Sequence, residues 1–215
     1  MGYLKQKHNS RLVFDPTYPN IDHNDFIKHD WTEFYHGASE AIPTDMPKPL
    51  GKEVDLRMFV DSDHAGDKKT RRSRTGFLIF CNMALIDWVS KKQPTVESSV
   101  FGAEFVAMKH GIEKLRGLRY KCRMMGIPLS GPNYVYGDNK CTITNSTRPE
   151  STLKKKNNSS CYHAVRESVA MNESLITHIG TADNLSDLMT KPTFGAKRRR
   201  LVGGTLYDIY DNKSI

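Results

Sequence analysis

Val54-Asp55-Leu56-Arg57-Met58-Phe59-Val60-Asp61 is where the chain first commits to regular structure. Residues 55–61 form a compact apolar run that closes on an acid, and such a run reads as a strand buried in a sheet. Downstream, Gly76-Phe77-Leu78-Ile79-Phe80-Cys81 is a second run of this kind. Residues 83–90, which include Ile86 and Trp88, are a third. Asn82 lies between the last two, and a turn residue there specifies an antiparallel, hairpin-type connection. The period then changes. Ala103, Ala107, Gly111, Leu115, Leu118, Cys122 and Met125 recur at steps of four and three, so they fall on one face of a long helix. Gly126 and Pro128 end it. Tyr134-Val135-Tyr136 is a fourth strand, parallel to the first if the helix is a crossover. Residues 140–145 open another helix closed by Pro149, Val165, Val169 and Asn172 mark a weaker one, and residues 174–179 supply a fifth strand. Leu185-Ser186-Asp187-Leu188-Met189 is a last short helical pattern, stopped by Pro192. The order predicts an α/β domain with one mixed five-stranded sheet flanked by helices.

Four acids occupy distinct settings in that order. Asp61 closes the first strand, Glu104 lies early in the long helix, Asp138 follows the fourth strand and Asp187 sits in the final helix. Brought together by folding, four carboxylates would repel one another unless divalent cations neutralised them. The expectation is a Mg²⁺ site that acts on phosphodiester bonds. Asp63 and Asp67 lie close to Asp61, but the strand is expected to stop at Asp61, which leaves both as turn residues with Gly66.

At 215 residues the chain has room for one domain of ordinary size and an extension. Its 32 Lys and Arg outnumber 24 Asp and Glu, a net charge of +8 that favours a polyanionic partner. Arg71, Arg72 and Arg74 follow the first strand; Lys154, Lys155 and Lys156 form a second basic patch and residues 197–200 a third. Such patches suit phosphate contacts, which position a nucleic acid without reading its sequence. No stretch approaches the ~20 apolar residues of a membrane span. Residues 1–7 lack the apolar core of a secretory signal, so an intracellular protein is expected. Cys81, Cys122, Cys141 and Cys161 are too far apart for a CxxC zinc knuckle and read as reduced thiols.

With its acids in this order, the chain resembles the ribonuclease H domain of copia-type LTR retrotransposon polyproteins. The landmarks are Phe59-Val60-Asp61-Ser62-Asp63-His64-Ala65-Gly66-Asp67, Thr70-Arg71-Arg72-Ser73-Arg74-Thr75-Gly76 and Trp88-Val89-Ser90-Lys91-Lys92-Gln93. They continue with Ser98-Ser99-Val100-Phe101-Gly102-Ala103-Glu104-Phe105, Tyr136-Gly137-Asp138-Asn139 and Asn184-Leu185-Ser186-Asp187-Leu188-Met189-Thr190-Lys191-Pro192. Each is moderately specific alone; six in order are highly specific. The resemblance covers residues 54–192, and Met1-Gly2-Tyr3-Leu4-Lys5 resembles the close of a preceding reverse transcriptase region. Residues 1–53 then read as an extension or connector, and 193–215 as a basic tail.

The resemblance implies a ribonuclease H-like fold and an endonuclease that cleaves the RNA strand of RNA–DNA hybrids during reverse transcription. It makes Asp61, Glu104, Asp138 and Asp187 ligands of two Mg²⁺ ions, with Mn²⁺ as the substitute. It makes His178 the mobile histidine that, in related ribonucleases H, assists product release or proton transfer. Ser99 and Asn139 are expected to meet 2′-hydroxyls in the wide minor groove of a hybrid. The implied partners are the hybrid and a reverse transcriptase domain of the same polyprotein. The implied location is the cytoplasm, within a retrotransposon particle, or the nucleus. The alternative is a catalytically inactive remnant that binds nucleic acid or a protein. A polymerase palm is excluded because Asn139 stands where a second aspartate is required. The acid order, with no His/Cys zinc region, argues against an integrase.

Overall fold

In the computed structural model, which describes residues 10–153 and 156–208, five strands form one mixed sheet. They are β1 (Leu56–Asp63), β2 (Arg74–Cys81), β3 (Ala84–Lys92), β4 (Asn133–Gly137) and β5 (Ser174–His178), in the order β3-β2-β1-β4-β5. The β1–β2 and β2–β3 pairs are antiparallel, whereas β1–β4 and β4–β5 are parallel, as the helical crossover requires. The helices are α1 (Val100–Met124), α2 (Lys140–Thr147), α3 (Ser159–Ala170), α4 (Asp187–Thr190) and α5 (Gly195–Gly203). This is the predicted five-stranded sheet with flanking helices.

β1 is apolar from Met58 to Val60, where both of its faces are covered. Leu56, Met58 and Val60 point to the side of α1, where they join Phe77, Ile79, Val135 and the helix residues Phe105, Met108 and Leu115. Phe59 points the other way, into a second cluster with Leu78, Phe80 and Leu85, against which Leu185 and Met189 pack. Burying side chains of this size stabilises the fold by ~1.5–3 kcal/mol each. Gly111 is the close-approach point of α1, since a Cβ there would collide with the Met58 thioether. The Ser99 hydroxyl caps α1, accepting from the Gly102 amide at 3.2 Å. Gly126, at φ 70°, turns the chain out of the helix.

β1 continues past Asp61: Ser62 pairs with Thr75 and Asp63 with Arg74. The ladder bonds join backbone to backbone, so polar side chains do not end a strand, and apolarity alone marks the end too early. Asn82 does make the hairpin turn, at φ 52°. Its amide donates to the Asp55 carbonyl at 2.8 Å, its Oδ1 accepts from the Asp55 amide at 2.9 Å, and its Nδ2 donates to the Pro16 carbonyl at 3.0 Å.

The segment before β1 lies against this body. Phe26 packs with Tyr134 and Leu175, and Trp31 is buried with the Arg166 guanidinium 4.7 Å from its ring. The Glu40 carboxylate is gripped by Arg119 and Arg123 of α1. Beyond Pro192, where a basic tail was expected, α5 forms and buries Leu201 and Val202. Ser10–Arg11 and Tyr207–Asp208 pair as a short antiparallel ribbon. The basic patch residues Lys154 and Lys155 lie outside the described residues, as do residues 1–9 and 209–215.

Candidate metal centre

Three of the four acids converge. Asp61 of β1, Glu104 of α1 and Asp138, just beyond β4, each place a carboxylate oxygen within 4.8 Å of the others. The sheet register does this for two of them: Val60 is level with Gly137 across the parallel β1–β4 pair, so Asp61, still paired with Gly76 of β2, and Asp138, just past the end of β4, lie side by side. Glu104 is delivered by a clamp on the start of α1. The buried Gln93 amide donates to the Ala103 carbonyl at 2.8 Å and to the Thr75 hydroxyl at 3.1 Å, tying the helix to β2. The three carboxylates line a cleft of about 330 Å³, whose walls include Ser62, His64, Asn139 and Lys191.

Asp61 is 1% exposed and Glu104 6%. Burial raises the Asp61 pKa from 3.8 to about 6, with Asp138 adding to the rise while Thr190 and Lys191 oppose it. Glu104 is driven well above the ordinary carboxylate range by burial first and then by the charges of Asp61 and Asp138. The two carboxylates are costly to ionise together, and added positive charge would offset that cost. The donor set is all hard oxygen from three elements, which suits Mg²⁺ or Mn²⁺. His64 Nδ1 is buried in the cleft wall with no hydrogen-bond partner among the described residues, and the Ser62 hydroxyl is buried beside the Glu104 carboxyl group. The residues present therefore fit a divalent cation.

Asp187 stands apart. Its Oδ1 accepts from Lys191 Nζ at 2.9 Å and its Oδ2 from Lys197 Nζ. Burial would raise its pKa, but these two ammoniums outweigh burial and leave it lowered. Lys191 also reaches Asp61 Oδ1 at 3.2 Å, and the Thr190 hydroxyl donates to Asp61 Oδ2. α4 is held on the sheet for this purpose. Asn184 Nδ2 donates to the Val60 carbonyl at 3.0 Å, and Ser90 Oγ donates to the Met189 carbonyl at 2.6 Å. Gly76 leaves room for the helix, because a Cβ there would lie 2.5 Å from Thr190 Cγ2 and 2.7 Å from Met189 Cβ.

His178 is the last residue of β5 and exposed; its Nε2 is 3.2 Å from the Asp138 carbonyl oxygen and makes no bond to the carboxylates. Asn139 lines the cleft and caps α2, its Oδ1 accepting from the Thr142 amide at 3.1 Å. Ser99 sits at the start of α1, five residues before Glu104 in sequence. Arg72 and Arg74 line a separate polar cleft with Asp63, Asp67, Lys68 and Lys92, and Arg71 beside them is exposed with φ 55°. Asp63 lies over Gly66, and Asp67 holds the loop by accepting from Thr70 and Lys92. Lys156 is exposed in a short 3-10 turn before α3. Spacing alone gave Ser62, His64, Thr190 and Lys191 no part in the site and read Lys197 as one member of a basic patch. The available signal was the four-residue step from Asp187 to Lys191, which puts two side chains on one side of a helical turn.

No family model matches the chain. It is 30% identical over 142 residues to the retrovirus-related Pol polyprotein from transposon RE2 of Arabidopsis thaliana, a match covering 66% of this chain and 10% of the relative. The retrovirus-related Pol polyprotein from transposon TNT 1-94 of Nicotiana tabacum matches at 30% identity over 142 residues, again 66% of this chain and 10% of the relative. The chain thus spans about a tenth of the length of these curated relatives. Among solved structures it is similar to LC11 ribonuclease H1, isolated from compost by a metagenomic approach. That likeness has a TM-score of 0.50 at 13% identity and covers 63% of this chain and 92% of the other.

Proposed function

We propose, from the premise that this chain is a homologue of copia-type transposon Pol polyproteins with a ribonuclease H fold, that it hydrolyses the RNA strand of RNA–DNA hybrids with the help of divalent cations. The observation that carries the reading is the convergence of Asp61, Glu104 and Asp138 within 4.8 Å in an open cleft. The reaction adds water across a P–O3′ bond, leaving a 5′ phosphate and a 3′ hydroxyl. A divalent cation held by the three carboxylates would activate that water and stabilise the departing oxygen.

The chain's own residues prepare the site in three ways. Asp61 is rigid in the middle of the sheet and stays oriented by the Thr190 hydroxyl. Burial and the charges of Asp61 and Asp138 disfavour the ionised form of Glu104, a cost that positive charge in the cleft would offset. Asn139 uses its Oδ1 as a helix cap, which leaves its Nδ2 free to donate to a ribose 2′-oxygen. Arg71, Arg72 and Arg74 supply phosphate contacts along the hybrid, with Lys156 as a further one. A reverse transcriptase region of the same polyprotein is the proposed partner that presents the hybrid.

The test is a labelled RNA–DNA hybrid incubated with the purified chain, with and without Mg²⁺. Mg²⁺-dependent cuts in the RNA strand alone are expected, and Asp61→Asn should remove them. Cutting that persists in Asp61→Asn, or in a metal chelator, would exclude this site as its source.

A further inference from the structure

A cavity of about 490 Å³ lies between the outer strands of the sheet and α1, and it shares no lining residue with the acidic cleft. The ladder builds one wall. Phe77 of β2 is level with Val89 of β3, and Thr75 with Lys91, so the four side chains rise from one face of the sheet. α1 adds His110, and the segment after β3 adds Gln93 and Pro94. Phe77, Val89 and Pro94 make the walls apolar, whereas Arg72, Lys91 and Lys92 line the cavity with positive charge and no acid lines it. Lys92 is engaged by Asp67. The exposed side chains of Arg72 and Lys91 make no hydrogen bond or ion pair among the described residues.

Gln93 adds a fixed polar group. It is 1% exposed, and its Nε2 donates to the Ala103 carbonyl, an oxygen that can only accept, so the two ends of the amide are settled. Oε1 is left buried with no partner, a costly state for an acceptor until a donor reaches it. The cavity thus combines two open cations, apolar walls and one acceptor that lacks a donor. Its volume is in the range of small-ligand sites, about 300–1,000 Å³. A phosphate suits Arg72 and Lys91. A planar nucleobase suits the apolar walls, and the amino group of adenine, guanine or cytosine is the missing donor.

We propose that this cavity binds a nucleotide by its phosphate and its base together. Arg72 and Lys91 hold the phosphate, the base lies against Phe77, Val89 and Pro94, and its amino group donates to Gln93 Oε1. The nucleotide is either a free nucleoside 5′-monophosphate or the 5′-phosphorylated end of an RNA strand, the end that the hydrolysis above leaves. Binding here needs no metal ion, so it stands or falls separately from the three-acid centre.

The experiment is calorimetric titration of the full chain with adenosine 5′-monophosphate in a chelator, which removes any cation that would hold a phosphate at the acidic cleft. One nucleotide per chain is expected. Adenosine and inorganic phosphate should each bind at least about tenfold more weakly, since each lacks one half of the contacts. Lys91→Met should weaken the nucleotide about tenfold, the size of one charge-assisted hydrogen bond. Val89→Trp fills the cavity and should abolish binding, with circular dichroism to check that both variants fold. A 5′-phosphorylated tetraribonucleotide and its 5′-hydroxyl form separate the two sources. Tighter binding of the monophosphate identifies a free nucleotide as the ligand; tighter binding of the phosphorylated strand, with the 5′-hydroxyl form about tenfold weaker, identifies a strand end. No binding of either phosphorylated form at millimolar concentration would overturn the proposal. So would inorganic phosphate that binds as tightly as the nucleotide, which leaves only a basic sheet edge. Unchanged affinity in the folded variants would place the nucleotide elsewhere and overturn it too, and if Val89→Trp does not fold, Lys91→Met decides alone.

Discussion

Asp61→Asn should make the metal-free protein more stable while it abolishes cleavage. Asp61 titrates near 6 in the fold against 3.8 for an unburied aspartate, because burial and the neighbouring Asp138 disfavour its charge. An acid whose pKa is raised by folding destabilises the native state above the folded pKa, and this cost disappears below the unfolded one. At ~1.36 kcal/mol per pH unit the rise corresponds to on the order of 3 kcal/mol at pH 7.5. By the same linkage it falls to about half of that at pH 5 and vanishes below about pH 3.8. Asparagine removes the charge at all pH values and can still accept from Thr190. In a chelator, urea unfolding at pH 7.5 should therefore give the variant a higher midpoint, with the gap narrowing at pH 5. Saturating Mg²⁺ should close the gap from the other side, since a ligand at 100 times its Kd stabilises the protein that binds it by ~2.7 kcal/mol. A variant less stable than wild type in chelator at pH 7.5 would refute the reasoning. So would a gap that widens as the pH falls.

Other outcomes follow from neighbouring features. Glu40, held by Arg119 and Arg123, has its pKa lowered from 4.5 to about 2 because those hydrogen bonds outweigh burial. Its contribution is present above pH 4.5 and lost as the pH falls toward 2. Glu40→Gln should thus cost about 3 kcal/mol at pH 7 in urea unfolding and progressively less in acid. Gly76→Ala should push α4 off the sheet, lowering the thermal midpoint and cleavage together; unchanged values of both would show that the helix has room to move. His178→Ala should retain most of the cleavage rate, since among the described residues its ring hydrogen-bonds only to a backbone oxygen. A ~10²-fold loss, the size of an acid–base contribution, would give His178 the catalytic part that the resemblance implies.

Much of the architecture was legible because its signals are local. The apolar run at 56–60 announces a strand covered on both faces, and the four-and-three spacing from Ala103 announces the helix that covers one of them. Asn82 announces the hairpin by its tolerance of positive φ. Boundaries were less legible. β1 runs on to Asp63 through polar residues whose backbones still pair. α5 is strongly basic, and its buried pair Leu201 and Val202 is too short a signal to read. At the site, the convergence of Asp61 and Asp138 depends on parallel register, which strand order implies. The separation of Asp187 depends on where two lysine side chains end, and spacing alone does not say which carboxylate an ammonium will choose.

The ribbon of Ser10–Arg11 with Tyr207–Asp208 has a mechanical consequence. Ser10 faces Asp208 and Arg11 faces Tyr207, so Ser10 and Asp208 together form one end of the ribbon. Tension applied through both flanks would open it as a zip, one pair at a time, and not by shearing both pairs together. Set within a longer polypeptide, the sheet would hang as a side loop from that ribbon and would carry no load until both pairs had parted.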